Sequence, residues 1–119
     1  MQFEALYEII PSNLKYLPTG ENMAVIQIVR FRAKPEVTER DMLDINEKFQ
    51  REVAPTLAGL ERREASLTQD GEWVLVLRYV DMEHAKGGAA RDISPVAHEF
   101  MSKIDMSSMS ASFMPVVSE

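Results

Sequence analysis

Residues 23–32 read Met-Ala-Val-Ile-Gln-Ile-Val-Arg-Phe-Arg, and apolar positions fall on both sides of an extended chain drawn through them. Val, Ile and Phe favour strands, and Lys34-Pro35 closes the run. Alternate strand side chains face opposite ways, so Val25, Gln27, Val29 and Phe31 share one side while Ala24, Ile26, Ile28, Arg30 and Arg32 share the other. Residues 72–80 have the same two-faced character, with Trp73, Leu75, Leu77 and Tyr79 opposite Val74, Val76, Arg78 and Val80. Both strands are therefore expected at the centre of a sheet. Residues 60–67, Leu-Glu-Arg-Arg-Glu-Ala-Ser-Leu, carry too much charge for that position and suit an edge, where charge discourages stray pairing. Gln69-Asp70-Gly71 joins the last two strands, the Asp-Gly pair supplying the positive φ of a tight turn.

Two stretches change period. Met42, Ile45, Phe49, Val53 and Leu57 recur at three and four, predicting a helix that starts at a Thr38 cap, runs to about Ala54 and is ended by Pro55 and Gly59. Residues 81–91 start helically and weaken at Gly87-Gly88. A second start at Ser94-Pro95 leads into Ile93, Val96, Ala97, Phe100, Met101 and Ile104, so a broken helix is expected. Residues 106–117 alternate loosely and complete the set as a final strand. The order strand, helix, strand, strand, helix, strand predicts an α+β protein of ferredoxin-like βαββαβ plan, a four-stranded antiparallel sheet with helices on one face. Residues 23–119 form this domain, and residues 1–22, interrupted by Pro11 and by Pro18-Thr-Gly, are expected to be an N-terminal arm.

One chain has helix enough for one face of such a sheet. The apolar second face predicts a homodimer through the helix-free side.

Composition narrows the classes. Lys plus Arg number 13 against 19 Asp plus Glu, a net charge of −6, and no basic stripe with interleaved aromatics appears, which argues against nucleic acid. The absence of cysteine excludes thiol nucleophiles and thiolate metal sites. No apolar run reaches the roughly 18–20 residues of a membrane helix, so no membrane role is expected. The first ten residues carry acids where a signal peptide would carry Lys or Arg, and a cytoplasmic location is expected.

The segments AVIQIVRFRAKPEVTERDM, LAGLERREASLTQDGEWVLVLRYVDMEHA and SPVAHEFMSKID resemble the antibiotic biosynthesis monooxygenase-like family over about residues 23–116. The resemblance implies a dimeric α/β barrel with a small-ligand cleft between sheet and helices in each subunit. It also implies cofactor-independent oxidation of an aromatic or quinol-like substrate as an activity. The family often carries Trp where the hairpin strand ends, and Tyr79 stands there instead. Haem-degrading members carry Asn on the first strand, where Gln27 is the amide present.

Histidine titrates near neutrality when unperturbed, which makes His98 a candidate base and His84 a candidate ligand contact. With His98, Tyr79 is the second catalytic candidate, able to hydrogen-bond a ligand from the cleft floor. Gln27, Trp73 and Phe100 are further candidates for ligand binding, Trp73 by stacking on an aromatic ring. The two histidines lie 14 residues apart with no supporting acid at ligand spacing, so no metal site is expected. No glycine loop suits a nucleotide, and no cofactor is expected. A noncatalytic ligand-binding or structural dimer of the same fold stays open beside the enzyme.

Overall fold

In the computed structural model, residues 23–87 and 94–119 are described. The expected arm at 1–22, and the break in the second helix at 88–93, lie outside the described residues. The elements are β1 (Val25–Ala33), α1 (Glu39–Glu52), a 3-10 turn at Ala54–Thr56, β2 (Leu60–Leu67), β3 (Glu72–Tyr79), α2 (Met82–Gly87), α3 (Pro95–Ser102) and β4 (Ile104–Pro115). The four strands pair antiparallel in the order β2-β3-β1-β4. This is the ferredoxin-like arrangement expected from the pattern, with the charged β2 at an edge and the two-faced strands in the middle.

Burial follows the alternation. Trp73, Leu75, Leu77 and Tyr79 are buried on one side of β3, together with Val25 and Phe31 from β1. Met42, Ile45 and Phe49 of α1 and Ala97 and Phe100 of α3 close over them. Aromatic rings knit this layer together: Phe31 lies parallel to Trp73 at 6.1 Å and edge-on to Phe100 at 5.9 Å. The three described helices all bury into this face. On the other face Ile26, Ile28, Val74, Val76 and Met114 are half-buried by their strand neighbours, with no described helix above them, and Val80 beside them is 38% exposed. No helix among the described residues is long and apolar enough to cross a membrane.

The helix starts are chemically fixed. Thr38 Oγ1 accepts from Asp41 N at 3.0 Å and Ser94 Oγ from Ala97 N at 3.2 Å, each satisfying a donor the helix cannot satisfy itself. Helix α1 stops at Glu52, two residues short of the expected end, because Pro55 removes a donor and the chain tightens into the 3-10 turn. The hairpin closes at Gly71, with φ 94°, where Gly71 N donates to Thr68 O at 3.1 Å and Glu72 N to Thr68 Oγ1 at 2.9 Å.

Arg30, Arg32 and Arg78 form ion pairs within the chain. Arg30 meets Glu72 at 3.2 Å and Arg32 meets Asp70 at 2.9 Å, while Arg78 meets Glu61 at 3.1 Å and also Glu119. Arg30 with Glu72 and Arg78 with Glu61 reach diagonally across adjacent strands, a short span for such side chains. Solvent screening leaves such exposed pairs little net stabilisation.

Gly59 is the tightest point in the backbone. It adopts φ 78°, and an added Cβ would lie 2.5 Å from Cγ of His84. His84 is held there by Asp81, whose Oδ1 accepts from the His84 backbone N at 2.9 Å and pairs with Nδ1 at 2.7 Å. The backbone bond, then the ring, keeps the Asp81 carboxyl below the usual carboxylate range. Gly59→Ala is expected to cost about 2 kcal/mol or more, from left-handed strain plus the clash. In urea unfolding the midpoint falls with unchanged slope, and the loss shrinks on a His84→Gly background, which removes the Cβ and ring atoms of the clash and leaves the strain.

Candidate functional site

Between the sheet and the helices lies a cavity of about 670 Å³, within the range of about 300–1,000 Å³ typical of small-molecule sites. Its sheet wall is built from Gln27, Val29 and Phe31 of β1, Leu75 and Leu77 of β3, and Ala111 and Phe113 of β4. The helices contribute Phe49, Ala85 and Phe100. Exposed His98, Met101, Ser102 and Met106 sit at the mouth, whereas Phe31, Leu77 and Ile104 are buried at its base.

A break in β4 shapes one wall. Arg30 pairs with Ser110, yet Arg32 pairs with Asp105, so the register slips between them. Ser108 latches the slipped segment, its Oγ accepting from Arg32 N at 2.8 Å and donating to Asp105 O at 2.6 Å. Ser107 caps Asp105 Oδ1 with both its N and its hydroxyl. The displaced backbone carries Met106 and Met109 to the cavity lining. Flexible thioethers there suit an aromatic guest.

Arg63 is the unexpected member. It is a charged residue of the edge strand, yet it turns inward and is only 7% exposed. Nη1 donates to Gln50 Oε1 at 2.7 Å and Nη2 to Asn46 Oδ1 at 2.8 Å, both neutral amides on α1. Its guanidinium lies over the Phe49 ring at 4.8 Å and the Phe100 ring at 5.6 Å, and its buried Nε has no hydrogen-bond acceptor. Burial pulls its pKa down to about 10, against a smaller opposing effect from Tyr79. It still carries its proton at neutral pH. Burial pushes the Tyr79 hydroxyl up in turn, with Arg63 opposing.

The expected site residues divide. His98, Gln27 and Phe100 line the cavity together. Tyr79 is fully buried in the core behind the lining, Trp73 is buried against Phe31, and His84 packs on Gly59. None of these three is among the residues lining the cavity. The periodicity of β2 contained the sign that pointed to Arg63, since residues 63, 65 and 67 share a side and the other two are Ala and Leu. Among the described residues no group of three or more His, Asp or Glu side chains converges as a metal site.

No protein-family model matches the chain, and no curated protein matches it. Solved structures do share its fold. A cofactor-independent oxygenase, SnoaB from Streptomyces nogalater, superposes with a TM-score of 0.62 at 11% identity, covering 81% of this chain and 95% of its own. A Caulobacter crescentus protein provisionally assigned as an antibiotic biosynthesis monooxygenase gives 0.63 at 9% identity, covering 82% and 93%. A dimeric protein of unknown function and ferredoxin-like fold from Bacteroides fragilis gives 0.57 at 16% identity, covering 78% and 96%. At these identities the likeness establishes the ferredoxin-like fold that antibiotic biosynthesis monooxygenase-like proteins share.

Arg63→Met tests what the buried charge does for the fold. Methionine fills much of the same volume against two aromatic rings, and Gln50, exposed, and Asn46, half-buried, turn back to water. The unfolding free energy from urea titration is expected to hold or rise, by roughly 1 kcal/mol, because a buried charge without a counter-charge is costly. A loss of about 3 kcal/mol would instead make Arg63 a structural strut.

Proposed function

We propose that the chain is a homodimeric small-molecule-binding protein that acts as a cofactor-independent monooxygenase on an aromatic or quinol-like substrate. The observation that carries this reading is the cavity itself, apolar and aromatic-walled, with Gln27, Arg63 and His98 as a few converging polar groups. The fold it shares with a cofactor-independent oxygenase supports the reaction type by analogy. Dimerisation is supported by the half-buried apolar face without a described helix and by the dimeric neighbour of the same fold.

The chemistry asks little of the protein. His98, at the mouth, takes a proton from a phenol or from a methylene group flanked by aryl rings. The resulting carbanion, delocalised as an enolate or phenolate, gives electrons to dioxygen and forms a C–O bond. The hydroperoxide then loses water as its O–O bond breaks, so that one methylene and one dioxygen become one ketone and one water. All four electrons come from the substrate, one oxygen atom ends in the carbonyl and the other in water. Gln27 orients the ligand by hydrogen bonding, and the rings of Phe31, Phe49 and Phe100 hold it flat. Tyr79 stays in the core behind the lining and does not touch the ligand.

An oxygen electrode with anthrone as substrate tests this. Uptake of one dioxygen per substrate without released peroxide is expected, and His98→Ala is expected to lower kcat/KM about 10²-fold. Uptake no faster than in buffer, with the compound still bound, would establish the noncatalytic ligand-binding dimer instead.

A further inference from the structure

Although the chain as a whole carries a net charge of −6, the cavity lining contains, among the described residues, Arg63, Lys86 and His98 and no Asp or Glu. The deepest of these side chains is Arg63. A guanidinium has five N–H donors, and the bonds to Gln50 and Asn46 occupy two of them. Both acceptors are neutral, so the positive charge is solvated by amide dipoles and two ring faces, with no carboxylate among the described residues ion-paired to it. Removing a cation from water in this way is strongly unfavourable unless an anion meets it. Nε, buried and without an acceptor, marks the same deficit at the level of a single atom.

We propose that the cavity binds an aromatic carboxylate, with the acid group against Arg63 and the ring between the sheet wall and Phe100. This deepens, and rests on, the reading of the cavity as a small-molecule site. A carboxylate is planar and fully ionised at neutral pH, and it matches the flat fork of donors that a guanidinium offers. It supplies the missing charge. The remainder of the lining, Val29, Leu75, Leu77, Met109 and Phe113, then meets the apolar body of the ligand. With no acidic group among the described lining residues, the cationic side chains at the cavity favour anions over neutral compounds of the same shape.

Isothermal titration calorimetry on the full chain with 2-naphthoate and its neutral isostere 2-naphthamide tests this without any variant. Naphthoate is expected to bind at least about tenfold more tightly, in keeping with a charge-assisted hydrogen bond in a partly dehydrated site. In Arg63→Met that preference is expected to vanish, and Arg63→Lys is expected to restore part of it. Equal affinities in the natural chain would overturn the acid preference and leave the cavity reading standing. A preference that survives Arg63→Met would overturn the role of Arg63. If neither compound binds at millimolar concentration, the small-molecule site itself is refuted and the inference goes with it.

Discussion

The structure depends on a mismatch of cover. β1 and β3 are apolar on both sides, and their pairing from Val25–Tyr79 to Phe31–Trp73 sets both faces at once. The described helices shelter one face and leave Ile26, Ile28, Val74, Val76 and Met114 on the other. A sheet can face water on one side when that side is polar. Here the middle of the second face is aliphatic, and charges such as Arg30 with Glu72, Arg78 with Glu61 and, on the edge strand, Arg62 with Glu64 stand toward the margins and are already paired. Apolar centre and polar rim are the anatomy of a protein interface.

On the sheltered face the same strands do a different job. The helices do not settle flush on the sheet; they span a cavity walled by Phe31, Phe49, Phe100 and Phe113. Interiors normally fill to crystal-like density, and an unfilled space of this size forfeits dispersion contacts on every wall. The slipped segment of β4 and the inward turn of Arg63 both add to that cost. Neither improves the fold, and both furnish the cavity. Features that a fold holds against its own stability are where function is best sought.

Much of the fold was legible because each local signal agreed with the others. The two-faced strands, Thr38 and Ser94 as caps, and Asp-Gly at the hairpin all fall where the pattern put them. His98, Gln27 and Phe100 could be placed together because strand and helix periods fix which side each residue faces. Arg63 was obscured because Arg62 and Arg63 read as one charged run, whereas period two sends one out and the other in. The slip between Leu60 and Arg62 further blurs the phase of that strand. The β4 irregularity left only a loosened alternation in the sequence, since Ser107 and Ser108 act through hydrogen bonds that no hydrophobic pattern records. Tyr79 and Trp73 were open to either role from sequence, because a large aromatic on a buried strand face looks the same whether it packs or binds.

The claim that the second face is covered by another copy has a direct measure in the mass of the full chain in solution. Sedimentation velocity at micromolar concentration is expected to give a single species of twice the 13.5 kDa chain mass. A stable species at the mass of one chain, undiminished as concentration rises, would contradict it.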